Sequence, residues 1–219
     1  KGFVNGLATS ANNVLPGIKG QFNASQSTVH PTQVINYVSC HDNYTLHDQL
    51  AQTMTGSIDQ AYSQAEAVVL LAEGVPFMQE GEEFMRKKVK KDGSYDHNSY
   101  VSGDLVNSMD YSLKIKNSSM FKYFKDLIAF RKANSILRLA TRSEVGDKLT
   151  NATVSGNSII SYELNDGVNQ YMIVHSPNGG MINLPASYQL VFTNGTKNVG
   201  ETFSGNVATN RNESLVFKK

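Results

Sequence analysis

The spacing of apolar residues changes along the chain, and each change marks a different element. Val34, Ile35, Tyr37 and Val38 form a compact, β-prone run that ends in the polar cluster Cys40-His41-Asp42-Asn43. Ile58, Tyr62, Ala65, Val69 and Ala72 then recur at helical spacing, with a capping box at Ser57 to Gln60 and a stop at Gly74. Val75 to Met78 reads as a short buried strand with its proline near the start, and it too runs into polar residues, Gln79 to Glu83. The unit is strand, helix, strand, with polar groups collected at the strands' carboxyl ends.

Around this unit the texture differs. Residues 1–32 are rich in Gly, Asn, Ser and Gln and read as loop with one short helix. A long loop is expected from Phe84 to Asn117, and loops of that length are usually functional. Met120, Tyr123, Phe124, Leu127 and Phe130 define a second amphipathic helix, with Arg131 and Lys132 at the negative end of its dipole. Beyond Ser135 come short β-rich runs, 158–164, 170–175, 188–193 and 214–217, broken by Asp166-Gly167, Asn178-Gly179-Gly180 and Asn194-Gly195. That pattern predicts a small antiparallel sandwich.

Two parallel strands close nothing, whereas a barrel of alternating strands and helices needs about eight. The expected fold is therefore α/β plus all-β. Residues 1–137 would be the last strands and helices of a (β/α)8 barrel, and residues 138–219 a carboxyl-terminal antiparallel β-sandwich. The missing starting Met suggests a segment of a longer chain.

Composition narrows the partners. Twenty Lys and Arg against 19 Asp and Glu leave a formal charge of +1, so no global field draws the chain to nucleic acid or an anionic membrane. The run Arg86 to Lys91 has no interleaved aromatic to stack a base and reads as a solvated loop. No apolar run approaches the roughly 20 residues of a membrane span, and no signal-peptide core follows Lys1. One cysteine rules out an internal disulfide and a multi-cysteine metal cage. The histidines show no metal-ligand spacing, so no metal is assigned. Cys40 and His41 should point to opposite faces of a strand, which argues against a thiol nucleophile and makes Cys40 a packing residue.

Several stretches, in order, resemble the pullulanase type of the alpha-amylase superfamily. Asn36-Tyr37-Val38 through His41-Asp42-Asn43, with Thr45-Leu46 and Asp48-Gln49-Leu50, resembles the end of that family's seventh barrel strand. Gly74 to Phe84 resembles its eighth-strand motif, and Asp96-His97-Asn98-Ser99-Tyr100 with Asp104 to Asn107 resembles its following loop. Phe124 to Lys132 resembles the final barrel helix, and Gly2-Phe3-Val4 with Gly6 the stretch after the sixth strand. A lone His-Asp pair more often merely ends a strand, but five motifs in register reverse that preference. Tyr111 departs from the pattern, standing where pullulanases often have Trp.

The resemblance implies a retaining glycosidase acting on alpha-1,6 linkages of pullulan and branched alpha-glucans. Asp42 would be its transition-state-stabilising carboxylate, with His41, Asn43, Tyr100 and Asn107 contacting the sugar. Glu82 would stand behind the sugar-contacting residues or be structural, with Glu80 and Glu83 solvated. The family's acid and nucleophile lie on earlier strands and have no counterpart here, so the chain alone is expected to be inactive. Its partners would be an alpha-glucan and the amino-terminal remainder of the enzyme. No redox cofactor is implied; the resemblance leaves calcium open, but no loop here reads as a complete oxygen cage for it. Family habit suggests an extracellular or cell-surface bacterial location, with the cytoplasm left open. Two other readings stand beside this one: an alpha-amylase or glycogen-debranching enzyme of the same superfamily, and a non-catalytic glucan-binding module.

Overall fold

The computed structural model describes residues 1–22 and 30–219, so part of the amino-terminal stretch read as loop, residues 23–29, lies outside the described residues. The rest of that stretch holds one helix, α1 (Ala11–Ile18), and three single 3-10 turns, the last running on to Gln33.

Strands β1 (Ile35–Asn36) and β2 (Val75–Pro76) pair in parallel, Ile35 opposite Val75 and Asn36 opposite Pro76. Parallel strands require a crossover, and here it contains two helices, α2 (Leu46–Thr53) and α3 (Ile58–Leu71), where the apolar spacing predicts one. Ser57 caps α3 by accepting from Gln60 N–H at 3.3 Å. The helix ends at Leu71, ahead of the expected stop at Gly74, which turns the chain toward β2 with φ of 97°, a left-handed conformation in which a Cβ would lie 2.9 Å from the Val34 carbonyl.

Short helices α4 (Asp104–Asn107) and α5 (Ser112–Lys116) and a bridge between Val89 and Tyr95 give form to the predicted long loop. The second amphipathic helix is α6 (Ser118–Ala133). Its Arg131 sits in the last turn as expected, yet it points across to α3. The buried guanidinium donates to the carbonyls of Leu70 at 2.8 Å, Ala72 at 2.7 Å and Gly74 at 2.9 Å. The Leu70 and Ala72 carbonyls are among those that the end of α3 leaves without an intrahelical partner, and Gly74 lies just before β2.

After α7 (Arg142–Lys148) come β3 (Leu149–Ser155), β4 (Ile159–Asn165), β5 (Gln170–Ser176), β6 (Gly180–Thr193), β7 (Thr202–Thr209) and β8 (Glu213–Lys218). Among the described residues they form one antiparallel sheet in the order β3-β4-β5-β8-β6-β7, not the two facing sheets of the expected sandwich. The reason is that β8 pairs with both β5 and β6, which joins the two halves. The sheet instead curls on itself: a Cβ added to Gly180 of β6 would lie 3.0 Å from Ile159 of β4, three strands away in the order. Ile159, Val174, Leu190, Leu215 and Phe217 share a core on the curled face.

The opposite face of the sheet, with Ile160, Tyr162, Ile173 and Val216, packs on Leu70, Leu71 and Leu127 of the helices. Polar groups reinforce this joint. Asn194 donates to Ser63 Oγ at 2.9 Å, Asn212 to Gln64 Oε1 at 2.9 Å, and Gln64 to the Glu213 carbonyl at 3.1 Å. The sheet thus packs against α3, whose chain continues through Gly74 into β2 beside β1. The far side of the two short strands is open, with Ile35, Tyr37, Val75, Phe77 and Met78 exposed.

Candidate functional site

Beyond β1 the chain leaves the ladder and turns outward. Cys40 is irregular and half-buried, and residues 41–43 form an exposed bend rather than strand, with Asn43 in the left-handed region at φ of 61°. The strand alternation invoked for Cys40 and His41 therefore does not hold. Their sulfur and ring nitrogen, together with the Asp42 carboxylate, lie within 4.8 Å of one another. These three residues could offer ligand atoms to a metal ion, although the ammonium of Lys88, close enough to bond the His41 carbonyl, opposes a cation there. His41 Nε2 is 3.5 Å from Asp42 Oδ2, with the two side chains 84% and 70% exposed. A pair so exposed contributes little to stability. Both side chains are open to a ligand.

The turn is held from behind. Thr45 Oγ1 accepts from Asp48 N–H at 3.1 Å and starts α2. Asp48 is completely buried, with Oδ1 on His47 Nδ1 at 3.0 Å and Oδ2 accepting from Lys88 N–H at 2.8 Å. Lys88 donates its Nζ to the His41 carbonyl at 3.1 Å and accepts from Asp96 N–H at 2.8 Å through its own carbonyl. The solvated reading of the basic run thus fails at Lys88, which is buried. Burial, then Arg86, pulls its pKa below the ordinary lysine value, while Asp96, Asp48 and Asp42 oppose the shift. Neither Asp48 nor Lys88 has a role assigned from the sequence. The Thr45-to-Asp48 capping spacing is the signal that places Asp48 at a helix start.

The following loop comes alongside. The Tyr44 ring lies 5.7 Å from that of His97, and His47 meets Tyr95 edge-on at 6.1 Å. Asp96 accepts from Asn98 N–H at 2.9 Å and Ser102 Oγ at 2.6 Å, which closes a turn that leaves Tyr100 81% exposed. The Asn107 amide nitrogen donates to the Ser99 and Ser102 carbonyls, so that group shapes the turn presenting Tyr100. His41, Asp42, Asn43 and Tyr100 thus occupy two adjoining exposed loops.

Behind them is a buried acidic group. Glu82 follows β2 and carries a pKa raised to about 7 by burial, against the lowering effect of hydrogen bonds from Ser39 and Gln79. Glu66 of α3 is fully buried, with no hydrogen-bond partner for either carboxyl oxygen among the described residues, and burial holds its pKa well above the ordinary value. Glu73 is likewise raised to about 7 by burial, while His175, buried in the sheet, is lowered to about 3 for the same reason.

The signs give a pH dependence. The raised carboxyls stabilise the fold fully below about pH 4.5, and that contribution is lost as pH rises through about 7. His175 acts oppositely, its contribution present above 6.5 and lost as pH falls toward 3. With the carboxyls outnumbering the histidine, the urea midpoint should fall between about pH 5 and 7.5. Glu73→Gln should flatten that fall when unfolding is followed at constant ionic strength.

The chain matches no protein-family model. The pullulanase of Bacillus subtilis (strain 168) is 34% identical over 172 residues, a match covering 75% of this chain and 23% of that enzyme. The solved pullulanase from Bacillus acidopullulyticus superposes with a TM-score of 0.88 at 29% identity, covering 100% of this chain and 28% of the other. Type I pullulanase of Bacillus subtilis str. 168, solved with maltose, gives 0.85 at 29% identity, covering 99% and 32%. This chain therefore spans less than a third of each of these relatives. Fold and sequence both relate it to the pullulanases. It is a pullulanase homologue, corresponding to a partial, carboxyl-terminal region of the larger enzyme.

Proposed function

We propose that this chain supplies the sugar clamp of a retaining glycosidase that cleaves alpha-1,6 linkages in pullulan and branched alpha-glucans. The observation that carries the reading is the exposed His41–Asp42 pair beyond the end of a parallel strand, faced by the Tyr100 loop, in a pullulanase homologue. A relative solved with maltose supports an alpha-glucan as ligand. In a retaining mechanism two carboxyl groups about 5–5.5 Å apart break the bond, one as nucleophile and one as acid and then base. Asp42 is neither. It accepts hydrogen bonds from hydroxyls of the sugar being cleaved, bonds that strengthen as the ring approaches an oxocarbenium ion. His41 donates to the same sugar, Asn43 and Tyr100 border it, and Asn107 contributes from its turn.

The architecture that goes with this is a (β/α)8 barrel of the alpha-amylase type, of which residues 1–137 form the last part and residues 138–219 the appended β domain. Exposed Ile35, Tyr37 and Phe77 support it, since apolar side chains on short parallel strands call for neighbouring strands. The amino-terminal remainder would bring both cleaving carboxylates. An extracellular or cell-surface bacterial location accords with the bacterial relatives. The test is linkage. The longer enzyme containing this chain should release maltotriose units from pullulan and leave linear alpha-1,4 amylose intact. Attack on amylose alone would favour the alpha-amylase reading.

A further inference from the structure

We propose that Glu82 is a positioning residue, a strap that ties the His41–Asp42 turn to the end of β2 through Ser39 and thereby sets where the clamp stands. Its functional half rests on the sugar-clamp reading above; its structural half does not.

The need for a strap comes from the sheet. The ladder between β1 and β2 closes with Phe77 N–H on the Asn36 carbonyl at 2.9 Å, well before His41 is reached. Ser39 lies in the gap, as the last buried residue before the exposed bend. Its hydroxyl donates to Glu82 Oε1, while Gln79 N–H, just past β2, donates to Glu82 Oε2 at 3.0 Å. One carboxyl group thus bridges the two strand ends where their backbones no longer pair.

The base of the strap is rigid. Gly81 and Met85, on either side of the turn that carries Glu82, are both left-handed, at φ of 96° and 63°. A Cβ on Gly81 would fall 2.7 Å from that of Arg86. Tyr62 of α3 donates its hydroxyl to the Glu82 carbonyl at 2.9 Å, and Asn117, at the head of α6, donates to the Phe84 carbonyl at 2.9 Å. The turn is therefore bolted to both helices, while the bend at 41–43 faces solvent. Burying a carboxyl group is unfavourable unless its oxygens are bonded, and here both bonds lead to strand ends. Glu66 of α3 and Glu83 of the same turn are the other acids facing it, and neither bonds Ser39.

Cys40, the chain's one cysteine, adjoins Ser39 and reports on the bend. The experiment measures alkylation of Cys40 by iodoacetamide in the 219-residue chain at fixed pH, with urea unfolding as control. Ser39→Ala should raise the labelling rate about fivefold or more, a loop freed from one buried hydrogen bond worth about 1 kcal/mol. Glu82→Ala should raise it further. Glu82→Gln should stay close to the parent, because its amide oxygen accepts from Gln79 and its amide nitrogen donates to Ser39 Oγ. Should Glu82→Ala not fold, Ser39→Ala and Glu82→Gln still decide. Unchanged labelling in folded Ser39→Ala overturns the strap. In the longer enzyme, Ser39→Ala should lower kcat on pullulan about tenfold with KM within about twofold. Faster labelling without any loss of kcat overturns the positioning role. A parent enzyme inert on pullulan overturns the sugar-clamp reading instead, and the labelling rates still decide the strap.

Discussion

Replacing Asp42 with Asn in the longer enzyme should lower kcat on pullulan about 100-fold or more while KM moves less than about threefold. The substitution preserves volume and one acceptor oxygen, and it removes the charge and the second oxygen. Those are what a flattening, increasingly positive sugar ring draws on, and such bonds supply several kcal/mol that appear only near the transition state. Asp42 is 70% exposed and bonded to its surroundings chiefly through its weak approach to His41, so the fold should not notice the change. Initial rates over a range of pullulan concentrations provide the check. A rise in KM with kcat unchanged would mean that Asp42 binds the ground state as strongly as the transition state.

The largest expected loss of stability is at Arg131. Arg131→Met keeps most of the buried stem but strands the carbonyls of Leu70, Ala72 and Gly74, all of which the guanidinium serves. A buried polar group left without a partner costs about 1–3 kcal/mol, so a total near 4 kcal/mol is expected once the site relaxes. The same carbonyls end α3 and lead into β2, so the damage should reach the strand that supports the Glu82 turn. Urea unfolding followed by circular dichroism measures it. A loss below about 1 kcal/mol would mean that water replaces the guanidinium without penalty.

How far the chain could be read from its residues follows from what apolar spacing encodes. Strand, helix and strand around residues 34–78 are legible because each apolar run is bounded by a cap, a glycine or a polar cluster. Helix α2 is not, because its buried positions include His47 and Asp48, which look like surface. Strand β7 carries Gly205 and Asn206 in its middle and lacks the β-branched density of its neighbours. Helix α7 had a signal in the spacing of Thr141 and Glu144, which form a capping box.

The site divides in the same way. His41 and Asp42 stand out as a polar cluster at a strand end. Lys88 does not, since nothing in a run of basic residues tells which one turns inward, and it takes the buried Asp48 carboxylate and the free His41 carbonyl to make that placement favourable. The amide of Asn107 matches a sugar-site position in sequence, yet its nitrogen holds backbone carbonyls, a distinction only three-dimensional geometry draws.

The central claim is that this chain holds the clamp and another part of the enzyme holds the carboxylates that cut. The most direct test is the release of reducing sugar from pullulan, measured side by side for the purified 219-residue chain and for the longer enzyme at equal molar concentration. Turnover is expected from the longer enzyme and none above background from the chain alone. Steady turnover by the chain alone, abolished by Asp42→Asn, would contradict that claim.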